Sequence, residues 1–276
     1  MSGTVAAVHS RVCVVSLADE SLLTLAAPEI GGLPRSIRFD APSGLAFENA
    51  IPVGADVAQR GGILRIAGSP ISIDLRCAAL WRSPLRDLRL DGARRAVADA
   101  LSAAHAALGQ DGRNMRWVRL AGARPAALMA ATRALDAASA ESAISGLVGL
   151  GEGATPAGDD FLVGYFAALW ACAAANAPRL AFLADVSGRV RRLAPRTNRV
   201  SRVYLEAAAE GEVSERLFDL ARHISAGSDA DTIQRVARAA LAVGHSSGAC
   251  GLQGFLAACS CWAAAAPPRG EDGRRL

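Results

Sequence analysis

The chain has 276 residues, of which 51% are hydrophobic, 5% aromatic and 20% charged, which places it among folded globular proteins of one large or two small domains. Its formal net charge of +4 comes from 30 basic and 26 acidic residues and lacks the concentrated excess of a nucleic-acid-binding module. Every basic residue is Arg, so Schiff-base chemistry, a lysine general base and a P-loop lysine are all excluded.

Along the first 90 residues, short β-branched or alternating runs recur between turn signals. Strands are expected at Val12 to Leu17, Leu22 to Ala26, Ser36 to Asp40, Leu45 to Glu48, Gly62 to Ile66 and Ile71 to Arg76. The separators, Gly31-Gly32-Leu33-Pro34, Ala41-Pro42-Ser43-Gly44 and Gly61-Gly62, carry turn chemistry. Alternation on both arms makes Ser36 to Asp40 with Leu45 to Glu48 the best hairpin candidate. After residue 90 the chain becomes rich in Ala and its apolar spacing turns helical. Helices are expected at Gly92 to Leu108, Pro125 to Ala140, Asp159 to Ala175, Arg179 to Leu193, Val200 to Ala209, Ser214 to Ile224, Asp231 to Val243 and Ser247 to Ala265. The helix from Asp159 is apolar nearly all round and is expected at the centre, with Gly164, Ala167, Ala168 and Ala171 admitting close neighbours. The expected fold is therefore α+β, an antiparallel, barrel-like β-rich part (1–90) followed by an all-helical bundle around a buried central helix (91–266). A disordered tail (267–276) would complete it.

The six cysteines and four histidines show no C-x-x-C, H-x-x-x-H or H-E-x-x-H spacing, so they read as reduced thiols and unligated imidazoles. No signal-peptide pattern opens the chain, and the longest apolar run, Phe161 to Ala175, is shorter than the roughly 20 residues of a membrane span. A cytoplasmic protein with no membrane or nucleic-acid partner is the expectation.

Chemistry concentrates in two glycine-rich segments. In the first, from Gly149 to Gly164, the residues Gly151, Gly153, Thr155 and Gly158 lead to the pair Asp159-Asp160 at the start of the central helix. One carboxylate could simply cap the helix and the other complement its dipole. Alternatively, one caps while the other accepts hydrogen bonds from a substrate amide or holds Mg²⁺, a role assigned to Asp160. In the second segment, Gly244-His245-Ser246-Ser247-Gly248, backbone N–H groups and two hydroxyls at a helix start could hold phosphate or carboxylate, with His245 titrating beside them. Between them lie six arginines from Arg189 to Arg202, a possible anion clamp but more simply a solvated helix face. Thr197 or Asn198 reads as the cap of the next helix, with Ser201 in its first turn.

Together these segments resemble the AllH-type subunit family of the oxamate carbamoyltransferase of allantoin degradation. The first block matches at Gly151, Gly153, Thr155, Pro156, Gly158, Asp159, Asp160, Phe161, Leu162 and Gly164, with Ala157 in place of the usual Ser. The second matches at Thr197, Ser201, Leu205, Ala208 and Gly211. The third matches at Gly244, His245, Ser246, Ser247 and Gly248, with Cys250 where the pattern has Asp. The resemblance implies a subunit that acts beside others in moving a carbamoyl group between carbamoyl phosphate and oxamate or a related small carboxylate or amide. Asp159, Asp160 and His245 are then the expected catalytic group. Gly151, Gly153, Thr155, Gly158, Thr197, Ser201, Ser246, Ser247 and Gly248 are expected to bind a small anionic substrate, with Mg²⁺ the one candidate cofactor. Two alternatives stand beside this reading: a noncatalytic assembly or substrate-sensing subunit, and an independent Mg²⁺-dependent hydrolase of the ADP-ribosylglycohydrolase kind.

Overall fold

The computed structural model describes residues 1–41, 44–92, 94–109, 115–173, 176–244 and 246–262. Seven strands come first: β1 (Ser2–His9), β2 (Val12–Leu17), β3 (Leu22–Ala26), β4 (Ser36–Arg38), β5 (Asp56–Arg60), β6 (Ile63–Ile66) and β7 (Ser72–Asp74). They form one curled half-barrel sheet in the order β4-β3-β2-β1-β5-β6-β7. Alternate residues of neighbouring strands, among them Val5, Cys13, Val15, Leu25, Val57, Leu64 and Ile73, close on Phe47 as one apolar cluster. The strands expected at Val12 to Leu17 and Leu22 to Ala26 appear with those bounds. The hairpin does not. Leu45 to Glu48 forms no strand, because residues Phe47–Asn49 wind into a 3₁₀ turn that drops Phe47 into the core. Its would-be partner β4 pairs instead in parallel with β3, through Thr24↔Ser36, Leu25↔Ile37 and Ala26↔Arg38. Burial of one large aromatic outweighs the local alternation.

Ten helices follow among the described residues: α1 (Arg95–Gly109), α2 (Met115–Ala121), α3 (Arg124–Ala134), α4 (Ala137–Ser145), α5 (Ala157–Ala173), α6 (Ala177–Leu193), α7 (Arg199–Ala209), α8 (Glu215–Ala226), α9 (Ala230–Leu241) and α10 (Ser247–Trp262). The apolar stripe expected on α8, Leu217, Leu220, Ala221 and Ile224, is buried throughout. The single helix expected from Pro125 to Ala140 is two. Leu135 adopts a left-handed conformation (φ 54°), and the Asp136 side chain accepts from the Ala138 and Ser139 N–H groups to start the second. The tail expected to be disordered lies outside the described residues.

As expected, α5 is the central helix, with 13 of its 17 residues buried and α6, α7, α8 and α10 packed on it. Its closest partner is α10, and the approach is backbone to backbone. A Cβ on Gly164 would stand 1.8 Å from the Gly251 carbonyl oxygen, and one on Gly254 would stand 1.9 Å from that of Phe161. Only glycine fits at these crossings.

Sheet and helices are joined where the first turn of α8 meets the loop after β3. The Glu215 carboxylate accepts from the Gly32 N–H at 2.7 Å and pairs with Arg38, while the Glu215 N–H donates to the Gly32 carbonyl at 2.8 Å. Arg199 on α7 reaches the Ser16 hydroxyl and the Glu20 carbonyl. Between the β1–β2 turn, the loop after β3 and the starts of α5, α8 and α10 lies a cavity. Among the described residues no helix is long and apolar enough to cross a membrane.

Candidate functional site

The glycine-rich loop before α5 positions the two aspartates. Gly151 and Gly153 hold φ of 120° and 98°, values that side chains resist, and a Cβ on Gly158 would lie 2.0 Å from the Leu147 carbonyl oxygen. The loop can thus fold back on the start of its own helix. That helix begins at Ala157, two residues before the expected cap, so Asp159 and Asp160 both sit in its first turn. Consecutive helical residues point about 100° apart, so the two carboxyls face different surroundings.

Asp159 faces inward and is 1% exposed. Its Oδ1 accepts from the Gly149 N–H at 2.8 Å and its Oδ2 from the Thr197 hydroxyl at 2.6 Å. The Ser201 hydroxyl, buried beside it, makes no well-formed hydrogen bond but helps to offset the desolvation that raises the Asp159 pKa. Asp159 is therefore a clasp between the glycine loop and the start of α7. Asn198, the alternative expected cap, is the residue that caps α7, accepting from the Val200 and Ser201 N–H groups.

Asp160 faces the cavity. This space of about 460 Å³ is walled by the β1–β2 turn, the Ile30–Pro34 stretch, the starts of α8 and α10, the end of α9, Asp160 and Val163 of α5, and Tyr204 of α7. Burial pushes the Asp160 carboxyl up to about 7 and Asp159 adds to the rise, while the hydroxyls of Ser247 and Thr155 hold it down. Those two hydroxyls share a hydrogen bond of 2.8 Å across 92 residues of sequence. Asp160 Oδ2 has no hydrogen-bond partner among the described residues, an arrangement that suits a ligand donor.

Of the expected binding residues, Thr155, Ser247 and Gly248 line this cavity together with Asp160 and Gly244. Gly248 is also a packing position, since a Cβ there would meet the Ala240 carbonyl at 2.2 Å. Asp159, Thr197 and Ser201 form the layer behind it. Gly151, Gly153 and Gly158 shape the loop without lining the cavity, and Ser246 contributes its carbonyl to the first turn of α10 by accepting from the Cys250 N–H. His245 lies outside the described residues. No group of three or more His, Cys, Asp or Glu side chains that could hold a metal occurs among the described residues. Cys250, where the pattern has Asp, is buried near enough to Asp160 for that carboxylate to help push its thiol, already raised by burial, up to about 12.

The six arginines do not form an anion clamp. Arg189 pairs with Asp185 and Glu141, Arg191 with Glu210, Arg192 with Glu141 and Arg202 with Glu206, while Arg196 and Arg199 bond Ser145 and Ser16. The cations that do line the cavity, Arg11 and Arg216, were not among the expected residues, and neither was Tyr204. Tyr204 carried a usable signal. It falls three residues after Ser201 on α7, so the two lie on neighbouring positions of one helical face. Arg11 pairs with Glu29. A second, more open depression around Arg11, Glu29 and Leu45 is larger, but it holds none of the motif residues and its one acid is the paired Glu29.

Residues 147–259 match the protein family described as oxamate carbamoyltransferase subunit AllH. The match takes in all three motif blocks, Asp160, Tyr204 and Arg216, and leaves out the sheet. No curated protein and no solved structure matches the chain.

Proposed function

Since residues 147–259 carry that family match, we propose that this chain is a subunit of an oxamate carbamoyltransferase-type complex and that the cavity at Asp160 is its substrate site. The observation that carries the reading is the Asp160 carboxyl, whose Oδ2 is buried without a partner, on a cavity that Thr155, Gly244, Ser247 and Gly248 of the motif blocks share. Carbamoyl transfer to oxamate joins the amide nitrogen to the carbamoyl carbon as the bond to phosphate breaks, and the nitrogen must give up a proton. The reverse reaction needs that proton back. A carboxyl poised at about 7 serves both directions near neutral pH, because each protonation state is well populated. The Thr155 and Ser247 hydroxyls beside the acid temper its rise, and the Asp159 clasp fixes the loop that delivers it. Partner subunits supply the rest of the active complex, and purine-nitrogen recovery is its proposed setting.

The test is phosphorolysis of N-carbamoyl-oxamate to carbamoyl phosphate and oxamate, measured with this chain alone and with the other subunits of its complex. Activity that needs the partners and falls at least about 100-fold in Asp160→Asn supports the reading. A complete complex without activity overturns it, and full activity with Asp160→Asn reduces this chain to assembly or sensing.

A further inference from the structure

The cavity wall carries an acid, Asp160, and two cations, Arg11 and Arg216. Arg216 occupies the first turn of α8, half-buried, and its Nη2 donates to the Glu29 carbonyl oxygen at 2.8 Å. No carboxylate forms an ion pair with it among the described residues, whereas Arg11, the other cation on the wall, is neutralised by Glu29. The start of α8 itself, Val213, Ser214 and Leu217, also lines the space, so the positive end of that helix adds to the same potential. Glu212 stands on the exposed rim, where solvent screens it. Much of the remaining lining is apolar, with Val12, Ile30, Leu33, Val163 and Leu252.

This polarity fits a small molecule with a carboxylate at one end and an N–H donor at the other. Guanidinium groups bind carboxylates through two parallel N–H donors, and Arg216 has donors to spare beyond the one spent on Glu29. The free Asp160 oxygen accepts an N–H and repels a second carboxylate. We propose that the cavity is a two-ended site for amide-bearing carboxylates, in which Arg216 receives the carboxylate and Asp160 the amide N–H, so that Arg216 decides the substrate class. The inference rests on the cavity being the substrate site.

The experiment is calorimetric titration of the full chain, and of the assembled complex, with three probes of nearly equal size. Oxamate carries both groups, oxamide replaces its carboxylate with a second amide, and oxalate replaces its amide with a second carboxylate. Oxamate should bind about tenfold or more tighter than either relative. Arg216→Met should bring oxamate down to the level of oxamide, Arg216→Lys should retain part of the difference, and Asp160→Asn should narrow the preference over oxalate. Thermal melts of each variant verify the fold, and the Lys variant keeps the charge should the Met variant fail to fold. Equal binding of oxamate and oxamide by the wild type, or an unchanged ratio in the folded Met variant, overturns the role of Arg216 while leaving the site in place. Binding of none of the three probes by chain or complex removes the substrate site and this inference with it.

Discussion

Replacing Asp160 by Asn should make the folded protein more stable near pH 8, although the residue lies in a buried first turn where a carboxylate would ordinarily help a helix. The carboxyl stands at about 7 against an ordinary value of 3.8, chiefly because burial penalises its charge. At about 1.4 kcal/mol per pH unit, keeping it ionised in the native state costs about 4 kcal/mol. The native state binds the extra proton between 3.8 and about 7, so this contribution to stability falls as pH rises through that window and levels off above it. Asparagine keeps the shape and has no charge to desolvate. Allowing about 1 kcal/mol for altered contacts with Thr155 and Ser247, the variant should gain about 2–3 kcal/mol near pH 8 and lose the advantage near pH 4. Asp159, raised in the same direction, is present in both proteins and cancels in the comparison. Urea denaturation across this pH range measures the difference directly. A variant no more stable than wild type near pH 8, or a difference that does not change with pH, would refute the reasoning. A stability gain coupled to lost transfer activity is the pattern of an acid retained for function at the expense of the fold.

Asp159→Ala should act in the opposite sense, leaving the Gly149 N–H and the Thr197 hydroxyl without their acceptor and costing about 2–5 kcal/mol in the same denaturation assay, with Asp159→Asn milder because one acceptor oxygen survives. Gly164→Ala places a methyl 1.8 Å from the Gly251 carbonyl oxygen, so α5 and α10 must part. A loss of about 3 kcal/mol or more in thermal melts is expected, whereas Gly188→Ala, on α6 with only the end of Arg192 within reach, should be neutral or stabilising. Exposed Cys77 should alkylate rapidly near pH 7.5 while Cys250, buried and raised to about 12, resists until the protein unfolds, and mass spectrometry of the labelled peptides reads the order.

The helices and most of the sheet could be read from the sequence because their signals are local. Periodicity identified the buried stripe of α8 residue by residue, and short apolar runs gave the bounds of β2 and β3. The two glycine blocks also declared themselves, since their spacing before a buried helix has few other uses. The break at Leu135-Asp136 left a readable trace in an aspartate able to cap, but Ala on both sides hid it. Pairing was a different matter. Whether β4 joined a hairpin or lay parallel to β3 depended on where Phe47 found room, and that room is made by strands far along the chain. The same holds for the site. Two adjacent aspartates on a helix must face different ways, and the sequence fixes that much through the 100° step alone. Which one becomes a clasp and which one meets a cavity was decided by Thr197 and Ser247, brought in from just before α7 and from the start of α10. Arg216 shows the limit most clearly: one arginine among 30 basic residues, set apart only because α8 docks on the sheet and leaves its guanidinium on a cavity wall, a placement that no local pattern encodes.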